Sequence, residues 1–403
     1  MIESPISRNL GAVFTASRPF VEFLTQSKWA SRMGNPDICD FVVGTPHEMP
    51  IPEYVEAIRK ASIPQNTDWF GYKVNDPNAR QIAANALREL VGIDFENEDL
   101  FLTNGASSAL VIALKAILNP EDEVIFLSPP WFFYESMISF VHGKAVRVKV
   151  ELESFDIDVE AVAKAITPRT RAIIVNSPNN PTGKIYPPET LARLSEILTA
   201  ASEKFGQTIY LVSDESYNRL IFDENIFSSP TAHYPNSFLI YSYAKALLTP
   251  GQRLGYLAVS PLMHERDKIR RAVQITQYNL YAFPDAVHLH ALADIEPMIF
   301  DLKKLQDRRD KMAQALSAQG FELHIPEGAW YLLPKTPIEN DVEFAAMLAE
   351  KDVFVLPGSI VELPGYLRIC LTANDEMVEK ALPVFEWAMK SVSNPKTVTI
   401  AAS

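Results

Sequence analysis

Between residues 100 and 212, short apolar runs alternate without a break with helix-patterned stretches. Residues 100–103, 123–127, 145–150, 171–175 and 208–212 read as strands; residues 107–118, 132–140, 159–166 and 189–205 read as the helices between them. Strands joined through a helix pair in parallel, because the crossover returns the chain to the same end of the sheet. The rhythm therefore confines the chain to an α/β fold in three layers, a mostly parallel central sheet with helices on both faces. Residues 238–241 and 254–259 add further strands to it.

The flanks read differently. Residues 1–39 form an irregular lead with Arg8, Pro19 and a short helix at 20–27. A strand at 40–43 ends on the turn signal Gly44-Thr45-Pro46. Helices are expected at 53–62 and 78–91, with an aromatic loop at 66–72. Residues 285–318 read as long helix interrupted at Pro297, which cannot continue the hydrogen-bond ladder. Beyond it a shorter, antiparallel sheet is expected from strands at 321–323, 330–333, 353–356 and 366–371, with helices at 342–350 and 375–390 and a frayed tail at 393–403. The domain division expected is a large domain at 45–296 and a smaller α+β domain built from 1–44 and 297–403.

Composition closes several alternatives. A net charge of -13 leaves no general basic face for nucleic acid or an anionic membrane. No apolar run approaches the ~18 residues a membrane helix needs. Cys39 and Cys370 stand far apart, with no disulfide framework and no metal-ligand spacing, so a reducing, cytoplasmic setting is expected. The opening MIESPISRNLGAVF lacks the pattern of a secretory signal.

In an open α/β sheet, ligands bind outside the carboxyl ends of the strands. Marked residues collect there. Asn104-Gly105-Ala106-Ser107 leads from a strand into a helix; small residues let backbone N–H groups approach a phosphate, although an ordinary helix cap looks the same. Trp131 follows the next strand, where it stacks on a flat ligand or packs in the core. Ser177–Gly183, SPNNPTG, carries Asn180, an amide donor or a plain turn residue. Asp214 and Tyr217 follow residues 208–212; a carboxylate in a partly buried mouth requires a cationic partner, which a pyridinium N–H supplies. Ser242, Lys245 and Arg253 close the series. Partial desolvation lowers an ammonium pKa and makes the amine a nucleophile for an aldehyde, whereas a solvated lysine does neither.

These segments, with Tyr366-Leu367-Arg368-Ile369, resemble the class I/II aminotransferases, fold type I pyridoxal-phosphate enzymes, and among them the aspartate aminotransferase branch. The resemblance runs from about residue 44 to residue 390. It implies pyridoxal 5'-phosphate as cofactor and Lys245 as the Schiff-base lysine and proton carrier. It implies Asp214 as the pyridinium partner, Asn180 and Tyr217 as donors to the ring oxygen, and Trp131 as the stacking residue. Gly105, Ala106, Ser107, Ser242 and Arg253 resemble the phosphate cradle. Arg368 resembles the arginine that grips the α-carboxylate, with Gly44, Asn180 and Trp131 beside it. The activity implied is transamination between a 2-amino acid and a 2-oxo acid such as 2-oxoglutarate, in amino acid metabolism or biosynthesis. A C–S lyase or an amino-acid sensor on the same fold are the alternatives.

The resemblance also implies a homodimer with the site at its interface. Relatives carry a tyrosine ten residues ahead of the arginine that matches Arg80, and that tyrosine reaches the neighbouring subunit's cofactor phosphate. Here the count falls on Phe70, and Tyr72 stands two residues on. Aspartate-type bacterial relatives often carry a lysine where this chain has Ser107. With Trp69, Phe70, Trp131, Phe132, Phe133 and Tyr134 expected near the mouth, neutral or aromatic substrates are expected, unless Arg8 or Arg18 reaches the pocket.

Overall fold

The structure, a computed structural model, describes residues 6–393. Beyond Ser393 the expected frayed tail lies outside the described residues. Its strands are β1 (Cys39–Phe41), β2 (Leu100–Thr103), β3 (Glu123–Ser128), β4 (Lys144–Lys149), β5 (Thr170–Asn176), β6 (Tyr210–Asp214), β7 (Ser237–Ser242), β8 (Gly255–Val259), β9 (Leu323–His324), β10 (Tyr331–Pro334), β11 (Val353–Pro357) and β12 (Leu367–Cys370).

Seven of them form one sheet in the order β2-β8-β7-β6-β5-β3-β4. The pairs β4–β3, β3–β5, β5–β6 and β6–β7 are parallel, as the alternation of helix and strand predicts; β8 runs antiparallel to both β7 and β2. Both faces are buried, and the two-residue period of a strand divides the apolar residues between them. From β3, Val124 and Phe126 join one core, packed with Leu110 and Ala113 of the helix Ala106–Ile117. Ile125 and Leu127 join the other, with Leu191, Leu194 and Leu198 of the helix Pro188–Phe205. The order reverses between β3 and β5: β4 lies outward of β3, while β6 and β7 run the other way from β5. That reversal opens a crevice at the carboxyl ends of the strands.

The other five strands form a second sheet, β1-β11-β12-β10-β9, antiparallel except for β1 against β11. Strand β1, from the start of the chain, is thus built into a sheet otherwise made by its end. Phe41, Trp330, Leu332, Val355 and Ile369 pack there with the helices Leu302–Ala318 and Asp375–Ser393.

Two expectations are corrected, and one helix for which there was no expectation is added. The lead is not irregular: residues Arg8–Gln26 form a helix, here α1, capped by Ser7 and running through Pro19. Its signal is weak because only Phe20 is fully buried. A second helix, Arg266–Leu280, had no visible period, since its buried residues are only Val273 and Gln277. The strand expected at 208–212 lies two residues later, so Asp214 is its final residue and is held by the ladder. The long helical stretch is divided around Pro297 as expected, into Ala286–Ile295 and Leu302–Ala318.

Candidate active site

A cavity of about 230 Å³ opens at the carboxyl ends of the parallel strands, against the second sheet. Gly44, Ala106, Ser107, Trp131, Asn180, Asp214, Tyr217, Ser242, Lys245, Arg253 and Arg368 all line it. Gly105 precedes the lining residue Ala106, and Tyr72 does not line the cavity of its own chain: it is 87 % exposed and meets Tyr281 edge-on at 5.9 Å.

Lys245 lies in the single turn that follows β7. Its ammonium sits 5.1 Å from the ring centroid of Trp330 and 5.4 Å from that of Tyr217. Burial lowers its pKa to about 8, against the opposing pull of Cys370 and Asp214. About a tenth of the lysine is then free amine at pH 7, far more than an ordinary lysine provides. Tyr217 is buried, and its hydroxyl lies 2.8 Å from that of Tyr331. Burial first, and Tyr331 second, hold its pKa well above the ordinary phenol value, so Tyr217 keeps its proton.

Asp214 ends β6, and its carboxylate accepts from Tyr134 Oη at 2.7 Å, Ser216 Oγ at 2.6 Å and the Ser216 N–H at 3.2 Å. Asn176, at the end of β5, ties the neighbouring loop to this strand. Its Nδ2 donates to the Asp214 carbonyl at 2.8 Å and its Oδ1 accepts from the Asn180 N–H at 2.7 Å. The Asn180 side chain is thereby presented to the cavity.

The donor set at the mouth fits a phosphate. Gly105 has φ 99°, and a Cβ there would stand 2.5 Å from Arg253 Nη2. Only glycine lets the guanidinium and the backbone ahead of the helix Ala106–Ile117 come together. Helix N–H groups, the Ser107 and Ser242 hydroxyls and the Arg253 charge converge where an anion would be bound.

Arg368, in β12, is almost wholly buried. Nη2 donates to the Val42 carbonyl at 2.8 Å and Nη1 to Asn180 Oδ1 at 3.4 Å, while Nε has no partner among the described residues. No carboxylate pairs with it among the described residues. A buried charge without a counter-ion is costly, on the order of several kcal/mol, unless a ligand supplies one. A guanidinium fork matches a carboxylate. Gly44 follows the Val42 carbonyl that holds this arginine, and a Cβ on it would press on the Trp330 ring at 3.3 Å.

The aromatic set expected at the mouth divides. Trp131 and Phe132 line the cavity. Phe133 packs edge-on behind Trp131 at 5.4 Å, and Tyr134 turns to Asp214. Trp69 stacks on His290 at 3.6 Å, Phe70 is 58 % exposed, and neither lines the cavity. Arg18 pairs with Glu22 at 3.9 Å on α1, and neither it nor Arg8 lines the cavity. Tyr134, Ser216, Asn176 and Tyr331 are site residues whose contacts the sequence does not reveal. The nearest signal is the spacing of Ser216 two residues beyond a strand-end aspartate, which suits a local side-chain bond.

The family model for aminotransferase class I and II matches residues 36–385. The aspartate/prephenate aminotransferase of Thermus thermophilus is 33% identical over 360 residues, covering 87% of this chain and 90% of that one. The crystal structure of an amino transferase from Eubacterium rectale superposes with a TM-score of 0.88 at 27% identity, covering 98% of this chain and 100% of that one. Thermus thermophilus aspartate aminotransferase with maleate gives 0.79 at 30% identity, covering 96% and 100%. Family, fold and donor set agree: this chain belongs to the class I and II aminotransferases, as a pyridoxal-phosphate-dependent enzyme of the aspartate aminotransferase branch with the fold type I architecture.

Proposed function

We propose that the enzyme moves an amino group between a 2-amino acid and a 2-oxo acid, with 2-oxoglutarate as an acceptor and Lys245 as both cofactor anchor and proton carrier. Arg368 carries this reading: a buried guanidinium with no carboxylate partner among the described residues, on the wall of the cavity that contains Lys245. Bound pyridoxal phosphate supplies a sink for the electron pair left when the α C–H bond breaks. Arg368 grips the α-carboxylate and fixes the amino acid relative to Lys245, helped by Asn180 and the backbone at Gly44. Lys245 Nζ, its pKa held to about 8, takes the α-proton as a general base and later returns it. Asp214 would hold the ring N–H, its oxygens fixed by Tyr134 and Ser216. Asn180 and Tyr217 would donate to the ring oxygen, Trp131 would stack on the ring, and Gly105, Ala106, Ser107, Ser242 and Arg253 would hold the phosphate.

Among the described residues the cations on the cavity wall are Lys245, Arg253 and Arg368, all occupied in this scheme. Ser107 offers no charge to a distal carboxylate. Neutral and aromatic 2-amino acids are therefore the donors we assign, with aspartate not strongly preferred. The test is a donor screen with 2-oxoglutarate that follows both oxo acid and ammonia. Oxo acid formed with an equal amount of glutamate supports the reading; ammonia release without glutamate would replace it by a lyase. A kcat/KM for aspartate more than about 100-fold above that for phenylalanine, roughly 2.7 kcal/mol, would mean a distal cation exists after all.

We further place this enzyme in a homodimer, in the cytoplasm, in amino acid biosynthesis. Phe70, Tyr72, Ile275, Leu280 and Tyr281 are exposed, and Tyr72 meets Tyr281 edge-on at 5.9 Å; exposed aromatic and apolar side chains of this kind are what a second subunit covers. Tyr72 is then the residue that crosses to the neighbouring phosphate. Both cysteines are buried and unpaired, which suits a reducing compartment. The domain division we adopt is 45–296 against 1–44 with 297–403; the pairing of β1 with β11 supports it.

A further inference from the structure

A second cavity, about 210 Å³, lies beyond the first, and Trp131 and Phe132 line both. Phe132 stands between them. On one side Arg368 lies 5.4 Å from its ring centroid; on the other its ring stacks on Phe20 of α1 at 3.6 Å and 19°. The far walls of this second cavity are of two kinds. Thr15, Ala16 and Phe20 of α1 form one side. Glu135, Arg147 and Glu362 form the other. Arg147 pairs with Glu135 and donates to Glu362 Oε1 at 2.7 Å, and Ser128 Oγ donates to Glu362 Oε2 at 2.8 Å. Two carboxylates against one guanidinium leave that wall negative.

We propose that Phe132, backed by Phe20, is the partition between the Lys245 cavity and a side-chain chamber under α1, and that the chamber receives the side chain of a bulky, uncharged aromatic 2-amino acid when the partition turns aside. The proposal rests on the transaminase reading for where the α-carboxylate sits. Phe132 lies beside Arg368 and lines both cavities, so a side chain directed from Arg368 toward α1 would meet its ring. Rotation of one side chain joins two cavities with shared walls. The joined space presents aromatic faces, Trp131 and Phe20, for offset or edge contact with an aromatic ring. Its negative wall repels a distal carboxylate and accepts an N–H or O–H. Acidic side chains are therefore excluded by charge and small ones gain nothing from the chamber.

The test fills the chamber from α1, away from the partition. Ala16→Phe and Thr15→Phe, the latter at an exposed position, are compared with the parent holoenzyme. The first readout is the ratio of kcat/KM for tryptophan to that for alanine, with 2-oxoglutarate as acceptor. The second is the ratio of the dissociation constants of two unreactive acids, indole-3-propionate and propionate, measured by calorimetry. Both ratios should move at least tenfold against the aromatic compound, the scale on which apolar pockets discriminate. A change smaller than tenfold in both variants overturns the chamber while leaving transamination intact. If the parent transaminates neither amino acid, the functional reading fails, and the calorimetric ratio still decides the chamber.

Discussion

Tyr134 Oη donates to Asp214 Oδ2 across 2.7 Å, in a region closed to solvent. Burial and the adjacent carboxylate push the Tyr134 pKa well above that of a free phenol, so it remains a donor throughout the working pH range. Asp214 is held by hydroxyls and an N–H, with no cation bonded to it among the described residues. That leaves its charge for a ring N–H. Asp214→Asn should retain bound cofactor, read by absorbance after gel filtration, while kcat falls at least 100-fold, roughly 2.7 kcal/mol. Near-normal turnover in this variant would remove Asp214 from its role. Tyr134→Phe removes one charge-assisted bond, worth about 1.5–3 kcal/mol, and should cost roughly tenfold.

Lys245→Ala should abolish turnover and eliminate covalent retention of cofactor after borohydride treatment. In the unsubstituted apoenzyme the rate of cofactor capture should rise with pH around a midpoint near 8, because burial disfavours the ammonium form. The sign follows from the amine being the reactive species: below the midpoint it is protonated and inert. A midpoint near that of an ordinary lysine would show that the cavity does not desolvate this residue.

Arg368→Lys should raise KM for amino acid and oxo acid at least tenfold. An ammonium cannot reproduce the two parallel bonds of a guanidinium fork, nor reach the Val42 carbonyl and Asn180 Oδ1 together. Steady-state kinetics over several donors decides it. Unchanged apparent affinities would place carboxylate recognition elsewhere.

Much of this arrangement is legible in the chain, for identifiable reasons. The sheet announces itself because both of its faces are buried, giving continuous apolar runs such as Ala172–Ile173–Ile174–Val175 in β5. The site residues announce themselves because strand ends are where ligands bind, and Gly105, Asn180, Ser242 and Lys245 all stand just there. What escapes is contact between residues distant in sequence. Nothing in the run Trp131-Phe132-Phe133-Tyr134 tells that the first two face the cavity, the third packs behind and the fourth reaches Asp214, 80 positions away. Helix α1 escapes for another reason: its stability comes from packing on the helix Tyr134–Phe140, which propensity cannot register.

Tyr72 and Phe70 give opposite expectations, and both are exposed in the single chain. Tyr72→Phe should weaken cofactor affinity several-fold if its hydroxyl reaches the partner's phosphate; Phe70→Tyr should strengthen it if that position faces the phosphate instead. Cofactor dissociation measured by fluorescence separates the two. Sedimentation of the holoenzyme should give a dimer, and a fully active monomer would overturn the interface assignment.

Glu215 is wholly buried beside Asp214 and should make stability depend on pH near neutrality. Its Oε1 accepts from Ser213 Oγ at 2.8 Å and Ser229 Oγ at 2.6 Å, and Oε2 lies 3.4 Å from Asn218 Nδ2. Burial raises its pKa to about 7, with the nearby hydroxyls and amide pulling the other way. Asn218 Oδ1 has no partner among the described residues; with its amide turned over, that oxygen would accept the proton of a neutral Glu215. Between the unfolded value of 4.5 and about 7 the folded chain binds the proton and the unfolded chain does not. The contribution of Glu215 to stability is therefore fully present below pH 4.5, falls as pH rises, and is lost by the time pH passes 7. A shift of this size corresponds to about 3 kcal/mol as an upper figure. Glu215→Gln keeps an acceptor for both serines and offers a permanent donor to Asn218. Its unfolding temperature relative to the parent should rise between pH 5 and pH 8, by several degrees for a chain of this size. Equal differences at the two pH values would mean that Glu215 is ionised in the folded enzyme throughout.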